Sequence, residues 1–240
     1  MIRLGVNIDH AATLRQVRGG TTSYPDLLKI IGLVKKGGAE QITIHLREDR
    51  RHIQDRDVAS ITKKRILEIN LEMAATREMK KIAFKHRPDW VCLVPEKRFE
   101  LTTEGGLDVA RRIEFFKKYV GELQAKGIAV SLFIDPNEKQ VLATAEVGAY
   151  ACEFHTGHWV LAEGRKKQKV WQQLVKVARL AHDQNIIVNA GHGLDYSHAK
   201  SILKLPHLNE VNIGHSIICY SLEDGIEKAT RNFVRILQSK

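Results

Sequence analysis

A chain of 240 residues, 43% hydrophobic, is long enough for one α/β barrel or one to two smaller domains around a sizeable core. The net charge of +10, from 38 basic and 28 acidic residues, raises nucleic acid as a partner. Yet the basic residues come as scattered doublets on helix-like segments, and the densest cluster, Arg165-Lys166-Lys167-Gln168-Lys169, has no interleaved aromatics to stack on bases, so nucleic acid is not the expected partner. No run approaches the ~18 apolar residues of a membrane span.

The chain enters a strand pattern at once, with no signal-peptide signature, and runs on without a Pro/Ser-rich linker, so one domain over residues 1–240 is expected. Cys92, Cys152 and Cys219 are odd in number and widely spaced, which argues against a disulfide framework and places the chain in a reducing cytoplasm. Each sits in an apolar context and is expected to be a small buried residue.

Eight β-prone runs follow one another: 4–8, 41–45, 66–71, 90–94, 128–134, 150–155, 186–189 and 210–213. Helical composition fills 25–36, 72–86, 107–126, 138–147 and 171–184 between them. Leu174, Val177, Ala178 and Ala181 share one helix face. Gly37-Gly38, Gly127 and Gly148 stand where helix-ending glycines belong. Alternation of this kind predicts a parallel sheet, and eight repeats predict a (β/α)8 barrel, with an open doubly wound sheet as the runner-up. No GxGxxG follows the first strand. The connections after strands one, four and six are longest, so extra helices or mobile loops are expected there.

In such a barrel the active site lies at the C-terminal ends of the strands. Those ends read Asn7-Ile8-Asp9-His10, His45-Leu46-Arg47, Asn70-Leu71-Glu72, Pro95-Glu96-Lys97-Arg98, Asp135, Glu153-Phe154-His155, Asn189-Ala190-Gly191-His192-Gly193 and Asn212-Ile213-Gly214-His215. A polar or ionisable group at every strand end favours an enzyme over an inert scaffold. From Arg47 to Asp57 four arginines meet four carboxylates, which leaves two readings open: an active-site wall or a self-paired surface loop.

Singly, each residue has a structural reading as well. His45 can be a bonded core histidine, though Arg47 on the same strand face favours the rim. Glu72 can cap the next helix or, at a crowded mouth, act as a base with a raised pKa. Glu153 points inward if Cys152 and Phe154 point outward, and an inward carboxylate wants a cationic partner. His155 can be merely structural. The Gly191-His192-Gly193 and Gly214-His215-Ser216 turns suit phosphate on backbone N–H groups. The polar stretch 101–106, with its double glycine, reads as a lid or as a plain helix-entry loop. There is no HExxH, no cysteine ligand spacing and no GxSxG, so no metal site or serine nucleophile is expected. The residues suit acid–base chemistry on phosphorylated carbonyl compounds.

The strings Gly5-Val6-Asn7-Ile8-Asp9-His10-Ala11-Ala12-Thr13-Leu14-Arg15, His45-Leu46-Arg47-Glu48-Asp49-Arg50-Arg51-His52, Asn70-Leu71-Glu72-Met73-Ala74, Thr102-Thr103-Glu104-Gly105-Gly106-Leu107, His155-Thr156-Gly157, Val188-Asn189-Ala190-Gly191-His192-Gly193 and Asn212-Ile213-Gly214-His215 closely resemble the pyridoxine 5′-phosphate synthase family, in order through nearly the whole chain. The resemblance implies a (β/α)8 barrel with extra helices, assembled as an octamer and needing no metal or organic cofactor. It also implies condensation of 1-deoxy-D-xylulose 5-phosphate with 3-amino-2-oxopropyl phosphate to pyridoxine 5′-phosphate, phosphate and water. Carried over, His45 and Glu72 resemble general bases, His192 the proton donor and Glu153 the transition-state-stabilising carboxylate. Asn7, Arg18, Gly193, Gly214 and His215 resemble the aminoketone phosphate site. Asp9, His10, Arg47, His52 and Thr102 resemble the deoxyxylulose phosphate site. His158-Trp159-Val160 departs from the family pattern, and the 158–170 loop and last helix look divergent. Another barrel lyase or isomerase acting on a sugar phosphate is the alternative, and a non-catalytic phosphate- or nucleic-acid-binding protein is a third reading.

Overall fold

The computed structural model describes residues 1–96, 100 and 105–239. Among these, eight parallel strands close into a barrel in chain order: β1 (Arg3–Asn7), β2 (Gln41–His45), β3 (Glu68–Met73), β4 (Trp90–Leu93), β5 (Ala129–Ile134), β6 (Ala151–His155), β7 (Ile187–Gly191) and β8 (Leu208–Ile213). Pairing of Arg3 with Glu210 and of Val6 with Ile213 joins β8 back to β1. Closure decides against the open sheet. The described helices are α1 (Asp9–Gln16), α2 (Leu27–Lys36), α3 (Asp55–Lys64), α4 (Arg77–His86), α5 (Ile113–Gln124), α6 (Glu138–Glu146), α7 (Gly157–Leu161), α8 (Gly164–Asp183), α9 (Tyr196–Ile202), α10 (His215–Asp224) and α11 (Ile226–Gln238).

Local chemistry sets many of these boundaries. Asp26, Thr76, Asn137 and Asp195 accept from the first N–H groups of α2, α4, α6 and α9, each taking up otherwise unsatisfied donors. Gly38, Gly127 and Gly148 follow helices at positive φ, as helix-ending glycines do. The expected helix over 72–86 begins only at Arg77. Ile69, Leu71 and Met73 alternate outward while Asn70 and Glu72 alternate inward, so strand periodicity carries β3 through Glu72. Extra helices follow β1, β6 and β8. The last of these was not foreseen; Gly225, at φ 78, separates α10 from α11. The 158–170 stretch, expected as a loop, is largely helical in α7 and α8.

Outward strand residues such as Ile42, Ile44, Leu71, Leu132, Phe154 and Val211 form the main core with Ile31, Ile61, Met79, Leu174 and Phe233 of the helices. Each such side chain is stabilising by roughly 1.5–3 kcal/mol when fully buried. The barrel interior is polar instead. Gln41 donates to Glu210 at 2.6 Å, Thr43 to Asn212 at 3.0 Å, and Asn212 to Glu153 at 2.8 Å. These bonds support Glu153 from below. Cys92 and Cys152 are buried as expected, but Cys219 is exposed on α10, 3.4 Å from a ring nitrogen of His215.

Candidate active site

A cavity of about 600 Å³ opens at the C-terminal ends of the strands, and every strand or the turn after it contributes to its lining. Asn7, Asp9, His10, His45, His52, Glu72, Glu153, His192, Gly193, Gly214 and His215 all reach it. The strand ends are not uniformly polar, however. Val94, Pro95 and Phe133 line the cavity from β4 and β5, and Asp135 is fully buried outside the lining.

Asp9 ties the first two strands together. One of its carboxylate oxygens accepts from the His45 backbone N–H at 2.9 Å and the other accepts from the Asn7 amide at 2.9 Å. Burial pushes the Asp9 carboxyl up to about 6, although His45 pulls the other way. His45 stands between two further carboxylates. Its Nε2 is 2.9 Å from Glu96, and its Nδ1 is 3.8 Å from Glu72. Burial, with Glu153 and Asp9 as like-charged neighbours, holds the Glu72 carboxyl well above the ordinary carboxylate range. Burial pushes Glu153 up to about 8, against the Asn212 hydrogen bond that favours its anion. Glu96 is different. Burial opposes its charge, but hydrogen bonds from His45 and the Glu48 N–H outweigh that and keep it below the usual range. The site thus separates protonated from ionised carboxyls at neutral pH, the condition for dividing acid and base work among similar groups.

Donor atoms of Asp9, His45 and Glu72 lie within 4.8 Å of one another, so these three could also surround a cation. Among the described residues this is the one such cluster.

On the opposite wall, His192 sits at φ 78 and Gly193 at φ 82. The left-handed backbone at His192 is costly for a non-glycine residue and turns the chain sharply into the cavity. Burial and the neighbouring His155 lower the His192 pKa. Gly214 precedes the first turn of α10, so the free N–H groups of that helix face the cavity beside His215, as an anion requires. His10 and His215 meet edge to face, with ring centroids 5.1 Å apart. His52 is pushed down to about 4, mainly by burial and then by His45 and Arg47.

Two expected residues are not brought into the cavity. Arg18 is exposed beyond the end of α1, and Arg47 pairs with Asp49 at 3.2 Å without reaching the lining. Thr102 and most of the 101–106 stretch lie outside the described residues. The charged run is indeed largely self-paired: Arg51 meets Asp49 at 2.6 Å and Arg50 meets Asp55 at 2.9 Å. Residue reading missed Glu96 as the partner of His45 and Asn212 as the partner of Glu153. The inward alternation of β8 was a usable signal for Asn212; nothing in the sequence pairs residues 45 and 96.

Fold and site together define a (β/α)8-barrel enzyme built for acid–base chemistry on anionic substrates. The family model described as "Pyridoxal phosphate biosynthesis protein PdxJ" matches residues 4–239, and the chain belongs to that family. It is 58% identical over 237 residues to a pyridoxine 5′-phosphate synthase of Bdellovibrio bacteriovorus, covering 99% of this chain and 98% of that protein. It is 52% identical over 229 residues to one of Photobacterium profundum, covering 95% and 93%. Among solved structures it resembles KGPDC from Streptococcus mutans, with TM-score 0.64 and 15% identity over 99% of this chain and 98% of that one. It also resembles a tryptophan synthase chain from M. tuberculosis, with TM-score 0.67 and 10% identity over 100% and 93%. These two share the fold.

Proposed function

We propose that the chain is a pyridoxine 5′-phosphate synthase, which condenses 1-deoxy-D-xylulose 5-phosphate with 3-amino-2-oxopropyl phosphate to give pyridoxine 5′-phosphate, phosphate and water. The observation that carries this reading is the convergence of His45, Glu72, Glu153 and His192 on one cavity that also holds Gly193, Gly214 and His215.

Imine formation between the amine and a ketone needs a base for the ammonium proton and an acid for the departing hydroxyl. His45 takes up protons at the Nδ1 that faces Glu72, while Glu96 holds the opposite nitrogen. Glu72 begins protonated because it is buried among carboxylates, and arrival of a substrate ammonium favours release of that proton. Glu153 stabilises cationic character as the imine forms; a cation beside it restores its charge. His192 is the donor. A substrate phosphate on the Gly193 N–H raises its proton affinity against the lowering effect of burial. Asn7, Gly193, Gly214 and His215 hold the aminoketone phosphate, and Asp9, His10 and His52 face the deoxyxylulose phosphate. The family resemblance adds Arg18, Arg47 and Thr102 to these anion sites; Arg18 and Arg47 stand outside the cavity and would have to turn into it when a phosphate binds. The acid–base groups need no metal or organic cofactor.

The test is direct. Purified protein with both substrates releases phosphate and forms a pyridoxine chromophore, whereas neither substrate alone does. Turnover of one substrate alone points to a lyase or isomerase instead.

The cytoplasmic location in this reading is supported by the three widely spaced cysteines; no helix among the described residues is long and apolar enough to cross a membrane. A homo-octamer completes the reading. Val17, Tyr24 and Leu222 are each more than 70% exposed around α1 and α10 and supply apolar surface for association. Sedimentation at several concentrations measures the assembly.

A further inference from the structure

His155 continues the inward alternation of Ala151 and Glu153 on β6, yet it does not line the cavity. It stands behind His192, with ring centroids 4.8 Å apart and planes 49° from parallel. Phe133 packs edge-on against it at 5.2 Å. The buried Nδ1 of His155 faces Asp135 at 3.7 Å, and Asp135 is fully buried. Asp135 is itself fixed, since it accepts from the Gly106 N–H at 3.0 Å; any side chain at Gly106 would collide with the Asp135 backbone. Gly157 leaves room where both imidazoles approach, and a Cβ there would lie 3.0 Å from the His155 Nε2 and 3.1 Å from the His192 ring. The result is a carboxylate, an imidazole and a second imidazole in sequence, ending on the cavity wall.

We propose that His155, anchored against Asp135, is a positioning residue for His192, fixing the orientation of that ring and controlling its proton through the charge of the neighbouring imidazole. The proposal rests on the reading of His192 as proton donor. Asp135 holds the His155 ring in place, 3.7 Å from its Nδ1, and the His155 ring, 4.8 Å from His192, acts with burial to disfavour a proton there. A phosphate dianion at the Gly193 turn reverses the balance, so that the donor is charged when substrate is present. The lowered proton affinity of His192, caused by burial and then by His155, agrees with this geometry. Among the described residues, the ionisable groups facing the pair are Asp135 beyond β5, Glu153 on β6 and His158 on α7, whose ring is 5.8 Å from His155. Burial holds Glu153 largely protonated.

The experiment follows the His192 ring by NMR across pH in the parent enzyme, H155F and D135N, alongside steady-state kinetics. H155F keeps an aromatic ring against Phe133 and removes the charge. Its expected result is a His192 midpoint raised by at least half a pH unit, the alkaline limb of the kcat profile moved the same way, a kcat at least 10-fold lower, and KM for either substrate within about twofold. D135N moves the midpoint in the same direction by a smaller amount, and it carries the test if H155F does not fold. An unmoved His192 midpoint in the folded variants overturns the proposal whatever happens to kcat. H192Q separates the two readings: if it retains turnover, the donor assignment fails while the measured coupling between the rings stands.

Discussion

His45 ends β2 and Glu96 lies in the connection after β4, 51 residues apart in the chain, yet Nε2 of one lies 2.9 Å from Oε1 of the other. The second Glu96 oxygen accepts from the Glu48 N–H at 2.9 Å, so the carboxylate is held on both sides. A donor at Nε2 leaves Nδ1 as the lone-pair nitrogen facing Glu72, which is the tautomer a base needs. Glu96→Gln replaces an anion with a neutral group of the same shape. Turnover is expected to fall roughly 10- to 100-fold, as when a carboxylate orienting a functional histidine is lost. KM for either substrate changes little. Steady-state kinetics check this, and a kcat within twofold of the parent removes Glu96 from the site's machinery.

Arg15 and Asp57 form a second pair that nothing in the local sequence announces. Arg15 on α1 donates to both Asp57 oxygens, at 2.8 and 2.6 Å, and both residues are buried. Asp57 also accepts from the Gln54 N–H, and Arg15 reaches the His52 carbonyl, so the pair anchors the loop that carries His52. Asp57→Ala strands the guanidinium in the interior. A loss of about 3–5 kcal/mol is expected, read by chemical denaturation. KM for the substrate held by His52 rises as the loop loosens. A loss below about 1 kcal/mol means that water satisfies Arg15.

These two pairs mark where residue-level reading stops. Strand alternation and turn glycines made the barrel legible, because burial on one face of a strand repeats every second residue. The same alternation places Glu153 inward between Cys152 and Phe154. Composition misleads once: the helical character after Leu71 conceals that Glu72 still belongs to β3. The strand face puts Arg47 at the rim and the family resemblance gives it a phosphate; in the structure its guanidinium donates to Asp49, two residues on. Partners such as Glu96 for His45 or Asp57 for Arg15 are set by barrel closure and helix packing, and chain spacing carries no trace of them.

Gly191 is the residue of β7 that faces Glu153. A Cβ there would overlap Glu153 Oε1 and lie 3.2 Å from the Asn212 carbonyl. Gly191→Ala therefore displaces the carboxylate and strains its 2.8 Å bond with Asn212. Overpacking of this kind costs about 1–3 kcal/mol. A misplacement near 1 Å is enough for a roughly 100-fold loss of kcat. Thermal melts and kinetics on the same preparation test both, and an alanine variant with parental turnover shows that Glu153 tolerates a shifted position.

Glu153 also leaves a signature in stability against pH. Burial raises its folded pKa from 4.5 to about 8, so the folded chain keeps a proton that the unfolded chain releases across that window. Native protein binds more protons than unfolded protein there, and stability falls as pH rises through it. The favourable contribution is complete below the lower value and is lost progressively as pH approaches the upper one. Glu153→Gln keeps an acceptor for Asn212 but cannot ionise. Its stability relative to the parent is therefore expected to climb from about pH 5 to about pH 9, reaching at least about 1 kcal/mol in favour of the variant. Melting of both proteins over that range, in one buffer series, isolates the contribution because other titrating groups are common to the two. Parallel curves mean that Glu153 is ionised throughout, and its cation-stabilising role then needs no substrate to restore its charge.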